Sequence, residues 1–135
     1  MVYRYNGLTV WQLPINMGNF RNLRVWQEAK DLAVYVYKVT NQGSFSKDLR
    51  FRDQIRAASI SIASNIAEGD ELNTNKQAVN FFYTAKGSTA EVLTQIIIAY
   101  EVGHIEKEIK DYIIDKCEYI SYNAVEADKS KKLRI

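Results

Sequence analysis

After Pro14 the chain has no further proline, and from Asn22 to Ala124 its apolar residues return every three or four positions. That is the spacing of one face of an α-helix, and it excludes strands as the main building material. Glycine is equally sparse, six in 135 residues, and Gly43, Gly69 and Gly103 fall where the spacing lapses. So few breakers predict long helices joined by short connections.

Val25, Ala29, Leu32 and Val36, flanked by Trp26, Ala33 and Tyr37, predict a first helix over about 22–40, ended by "NQGSF". A second is expected from Ser46, as N-cap with Asp48 in the first turn, to a stop at Gly69. Phe51, Ile55, Ala58, Ile62 and Ile66 form its core face. Ala57, Ile60, Ser64 and Ala67 lie nearly opposite. A helix apolar on two sides has two partners, so this second face is expected to meet another helix closely, from this chain or another subunit. Thr74-Asn75-Lys76-Gln77 fits a capping box and opens a third helix. It runs to about Val102, with Phe82, Ala85, Val92 or Leu93, Ile96 and Tyr100 inward and Gly103 as its stop. Ile109, Ile113, Cys117, Ile120 and Ala124 mark a fourth.

Four helices with short connections imply an all-α, up-down-up-down antiparallel four-helix bundle over residues 19–128. Residues 1–18, with no sustained period, form an N-terminal arm, and "KSKKLRI" (129–135) a basic tail. The length suits one domain whose core needs no metal or disulfide. The single cysteine cannot form an internal disulfide, so a reducing cytoplasm is the expected location. No apolar run of about 20 residues predicts a membrane span, and the first residues lack the features of a secretory leader.

Charge is uneven. Residues 1–56 hold nine Lys and Arg against four Asp and Glu, whereas residues 57–128 hold five against twelve. The positive cluster is "KDLRFRDQIR", where Lys47, Arg50, Arg52 and Arg56 crowd the start of the second helix, preceded by Arg21 and Arg24 before the first. Arginines grip phosphates through two parallel hydrogen bonds, so these four are the candidate nucleic-acid contacts. The competing reading pairs them with Asp48 and Asp53 or leaves them solvated.

Polar residues also run in stripes. Gln54, Ser61, Asn65 and Glu68 share one line on the second helix, and Asn80, Thr84, Ser88, Glu91 and Gln95 share one on the third. Folding the two helices about the 69–74 loop sets Asn65 level with Asn80, Ser61 with Thr84 and Gln54 with Glu91. The expectation is a hydrogen-bonded seam that fixes the register, because an unpaired buried polar group costs about 1–3 kcal/mol. Glu68 and Glu91 fall too far apart along this hairpin to act as an acid–base pair.

Catalytic signals are weak. His104, the only histidine, follows a helix-stop glycine and reads as a solvated or capping residue; Cys117 reads as a buried, inert thiol. There is no Glu-x-x-His pair, metal-ligand spacing or glycine-rich phosphate loop, so no cofactor is expected and no enzyme.

The runs "LRVWQEAKDLAVYVYKVT", "LRFRDQIRAASISIASNIAEG" and "FFYTAKGSTAEVLTQIIIAYEVGHI" resemble the four-helix-bundle proteins encoded in intervening sequences of bacterial large-subunit rRNA genes, to which accessory proteins of diversity-generating retroelements are related. The likeness spans about Phe20 to Ile105. It rests on Trp26, Gln54, Arg56, Ala57, Ser59, Ser61, Asn65, Glu68, Gly69, Gly87, Ser88, Glu91 and Gly103, which read as fold and assembly positions. Asp70-Glu71-Leu72 departs from the aromatic-Gly-Arg loop of many relatives. The resemblance implies a cytoplasmic, non-enzymatic protein forming a ring-like homopentamer. It also implies RNA or DNA, and a reverse transcriptase or other protein, as candidate partners. An interaction scaffold that binds no nucleic acid is the alternative.

Overall fold

The computed structural model describes residues 2–5, 7–11, 19–72 and 75–132. Four helices dominate: α1 (Arg24–Thr40), α2 (Leu49–Glu71), α3 (Asn75–Glu101) and α4 (Lys107–Lys132). Short 3₁₀ turns at Phe20–Asn22 and Gly43–Lys47 lead into α1 and α2. Within the stretch read as an arm lies an antiparallel ribbon of β1 (Val2–Tyr5) and β2 (Leu8–Trp11), with Val2 opposite Trp11 and Tyr5 opposite Leu8. Asn-Gly between two short β-prone runs is the strongest local signal for a hairpin, and Gly7 takes the positive φ (+79°) such a turn uses.

The helices pack in a closed circuit: α1 on α2, α2 on α3, α3 on α4, and α4 back on α1. Each supplies its inward stripe, among them Leu32 and Val36, Ile55, Ile62 and Ile66, Phe82, Val92 and Ile96, and Ile113, Cys117 and Ile120. The predicted stripes therefore form the core, with three adjustments: Phe51 and Ile109 are half-buried against it, and Tyr100 lies outside, 36% exposed, with the Lys110 ammonium over its ring. The aliphatic residues of α3 complete its inward face without Tyr100.

Helix ends depart from expectation for identifiable reasons. Ser46 sits inside the second 3₁₀ turn, where its hydroxyl donates to the Gly43 carbonyl (2.7 Å) and caps nothing in α2; the N-cap position falls to Asp48. Gly69 does not stop α2. It is buried within the helix where Phe82 approaches so closely that an added Cβ would lie 3.0 Å from the ring, and α2 continues to Glu71. Gly103 does end its helix (φ +88°): its N–H donates to the Tyr100 carbonyl and that of His104 to Ala99, the paired bonds of a Schellman cap. Helix α4 runs to Lys132, into the stretch read as a tail. The expected cap at Thr74 lies outside the described residues.

Candidate nucleic-acid interface

The four cations at the start of α2 divide into two pairs. Lys47 and Arg50 are exposed and have no ion-pair partner among the described residues. Arg52 bonds Asp53 (3.2 Å) and the Ser46 carbonyl (3.4 Å). Arg56 turns back across α1: its Nε donates to Thr40 Oγ1 (2.8 Å), its Nη2 reaches the Tyr37 carbonyl and Asn41 Oδ1, and its guanidinium lies 4.4 Å above the Tyr37 ring. A helix leaves its last carbonyls without intrahelical donors, and Arg56 supplies one at the end of α1. Its Nε and Nη2 are thus turned onto α1, so less of Arg56 faces outward than the sequence pattern suggests; Arg52 is half-committed in the same way.

The end of α2 that carries Lys47 and Arg50 has no acid in its first turn, and the Asp48 side chain makes no capping bond. Cations at a helix amino terminus oppose the macrodipole, at a cost of some tenths of a kcal/mol. An anion placed there is attracted by the dipole and by both side chains. The other cations named from the sequence are differently placed: Arg24 lies 4.0 Å from Glu28 and over the Tyr119 ring, and Arg21 is exposed.

Asp48 is spent elsewhere. Its Oδ2 meets His104 Nε2 (3.0 Å), while His104 Nδ1 meets Ser44 Oγ (2.7 Å). The imidazole stacks on Phe45 with centroids 5.0 Å apart, and the Phe51 ring lies 6.1 Å away, tilted by 56°. His104 is therefore neither solvated nor a side-chain cap; it ties the α3–α4 turn to the start of α2. Nothing in the local pattern of "VGHIEK" announces this, because its partners lie 56 and 60 residues away.

The polar seam is real at its centre and absent at its margins. Ser61 Oγ and Ser88 Oγ bond across α2 and α3 at 2.9 Å. Asn65 donates to the Ser61 carbonyl (2.8 Å) and hydroxyl (3.0 Å) of its own helix, and Thr84 donates to the Asn80 carbonyl. Gln54, Glu68, Asn80, Thr84 and Glu91 stand exposed. Ser61 thus meets Ser88 and not Thr84, about one turn from the expected register. Small polar side chains find a carbonyl four residues back more readily than a partner across the seam. Gln95 Oε1 is buried without a partner.

Two open grooves flank the bundle. One, about 540 Å³, runs between α1 and α2 and is lined by Trp26, Val34, Tyr37, Ile60, Ala63 and Ala67. It contains the second apolar side expected of α2, and within this chain Ile60 remains 45% exposed. The other, about 530 Å³, lies between α3 and α4 beside Leu93, Cys117 and Tyr122. Burial pushes the Cys117 thiol up to about 12, so it is protonated and unreactive at neutral pH. Among the described residues no His, Cys, Asp or Glu cluster has metal-site geometry, and no helix is long and apolar enough to cross a membrane.

These features define a class: a four-helix bundle with two exposed cations, Lys47 and Arg50, at the start of α2 and an open apolar groove. The model of the 23S rRNA-intervening sequence protein family matches residues 21–124, and the chain belongs to that family. No curated protein matches it. Among solved structures it is similar to a protein of unknown function from the S23 ribosomal protein family of Bacteroides thetaiotaomicron. The TM-score is 0.70 at 19% identity, over 78% of this chain and 98% of that one. At that identity the likeness speaks to fold alone.

Proposed function

We propose that this protein is a cytoplasmic binding protein whose α2 amino terminus takes phosphates of an RNA or nucleoprotein partner. The observation that carries the reading is the pair of exposed, unpartnered cations, Lys47 and Arg50, at an uncapped helix start that local stability does not favour. Lys38, exposed in the last turn of α1, adds a third positive group at this end. The family's description as an rRNA-intervening sequence protein supports RNA as the partner.

The bundle is read as up-down-up-down. Neighbouring helices pair residues whose numbers run in opposite senses: Glu28 with Lys116 and Tyr35 with Tyr112 between α1 and α4, Ser61 with Ser88 and Gly69 with Phe82 between α2 and α3. A cyclic homo-oligomer, a pentamer by family resemblance, repeats the basic end around a ring and multiplies its field.

A salt titration of RNA affinity tests the function. Each phosphate contact adds about 0.9 to the slope of log affinity against log salt for duplexes and about 0.7 for single strands. Replacing Lys47 and Arg50 together by Ala should reduce the slope by one to two contacts, whereas Arg56→Ala should leave it unchanged. Absence of RNA binding at low salt overturns the reading and favours a protein-interaction scaffold, for which the α1–α2 groove is the specific surface.

A further inference from the structure

We propose that Ser44 is an activated nucleophile that accepts an acyl group from small uncharged esters, a capability beyond the binding role. Its hydroxyl is exposed and lies 2.7 Å from His104 Nδ1, while Asp48 Oδ2 holds the opposite ring nitrogen at 3.0 Å. A nucleophile within hydrogen-bond reach of a base, with that base oriented by a third group, is the arrangement that activates serine. The ring is used here through Nδ1 toward the serine and Nε2 toward the carboxylate. Either nitrogen of a neutral imidazole can take the proton while the other stays protonated toward its acceptor. The imidazole is not free to swing away: its side chain is only 13% exposed and it is stacked on Phe45, with Phe51 against it.

A cleft of about 280 Å³ opens beside the group, with Gly43, the neighbour of Ser44, and Gly103 and His104 in its wall. Val39, Ile105 and Ile109 also line it, together with Gln42 and Glu106. The aliphatic side chains suit a short acyl chain, and Glu106 disfavours an anionic substrate. In the step, Ser44 Oγ forms a bond to the ester carbonyl carbon and its proton passes to His104 Nδ1. The carbon–oxygen bond to the leaving alcohol breaks, and that alkoxide recovers the proton from Nδ1. Water, deprotonated at the same nitrogen, then releases the carboxylic acid and restores the serine. Asp48 acts as a positioning residue.

The full chain is treated with a fluorophosphonate probe and, separately, with 4-nitrophenyl butyrate. The expected result is a single adduct, mapped to Ser44 by peptide mass spectrometry, and release of nitrophenol. In Ser44→Ala the adduct is lost and nitrophenol release falls to the uncatalysed rate, while far-ultraviolet circular dichroism shows the fold retained. His104→Gln should lose the reaction comparably, and Asp48→Asn should slow it and alter its pH profile, which a purely structural carboxylate would leave in place. Modification at another residue, or equal rates in the parent and Ser44→Ala, overturns the proposal.

Discussion

Where α1 gives way to α2, polar side chains reach far along the chain: Arg56 to Thr40 and Asn41, and His104 to Ser44 and Asp48. Along the middle of the α2–α3 seam they turn mostly onto their own helix, Asn65 to Ser61, Thr84 to Asn80 and Thr89 to Ala85, with Ser61–Ser88 as the crossing bond. The difference follows from where a helix has unmet needs. In its interior every carbonyl already accepts a bond and lies within reach of a short side chain four residues on. At its ends carbonyls and amides are orphaned; Arg56 meets one such need at the Tyr37 carbonyl, and the other long-range contacts join side chain to side chain where the helix ends come together. Polar ties at the end of this bundle therefore organise tertiary structure, while those in the middle mostly decorate a helix.

The comparison is most easily broken at Phe45, which is fully buried between the end cluster and the core, stacked on His104 and 5.1 Å from Phe51. Phe45→Ala should cost about 3–5 kcal/mol in denaturant unfolding, as a large core truncation does. A loss below about 1 kcal/mol would show that the bundle's end is not held in the way described.

Arg56→Ala comes next. Hydrogen bonds to charged groups contribute about 1.5–3 kcal/mol when buried; Arg56 is half-exposed, and solvent screening reduces the expected loss to about 1–2 kcal/mol. Lys47→Ala and Arg50→Ala, at exposed positions without partners, should each fall within about 0.5 kcal/mol of the parent. The contrast sharpens the division of the basic cluster: one arginine held by the fold, two cations outside it. If all three behave alike in the melt, that division fails.

The core of this fold was legible because it is set by local geometry: a stripe such as Ile55, Ala58, Ile62, Ile66 faces inward whatever its neighbours are. The ribbon was equally local, signalled in the sequence by Asn-Gly, yet its four-residue strands are too short to show a period. The candidate site was legible in its composition and not in its use. "KDLRFRDQIR" shows four cations, but which of them is consumed depends on the end of α1 lying beside Arg56, and a helical wheel does not contain that. His104 was misread for the same reason, since its partners arrive only when the α3–α4 turn closes over the start of α2.

The seam should respond more weakly than the end. Ser61→Ala and Ser88→Ala each remove one half-buried hydroxyl bond and should cost about 0.5–1.5 kcal/mol. In a double-mutant cycle the pair should couple by about 0.5–1 kcal/mol, and additivity would mean that the crossing bond contributes nothing to register.

Asn65→Leu should have the smallest effect of all, within about 0.5 kcal/mol. Both bonds of Asn65 go to Ser61, one turn earlier on α2. The Ser61 carbonyl is already inside the helical ladder, and its hydroxyl keeps Ser88 as a partner. Leucine also favours a helix over asparagine by a few tenths of a kcal/mol. A loss above about 1.5 kcal/mol, or a shifted α2–α3 register measured by cross-linking, would mean that Asn65 aligns the Ser61 hydroxyl for Ser88. The middle of the bundle would then be held by the same kind of long-range polar tie as its end, and the contrast between the two regions would collapse.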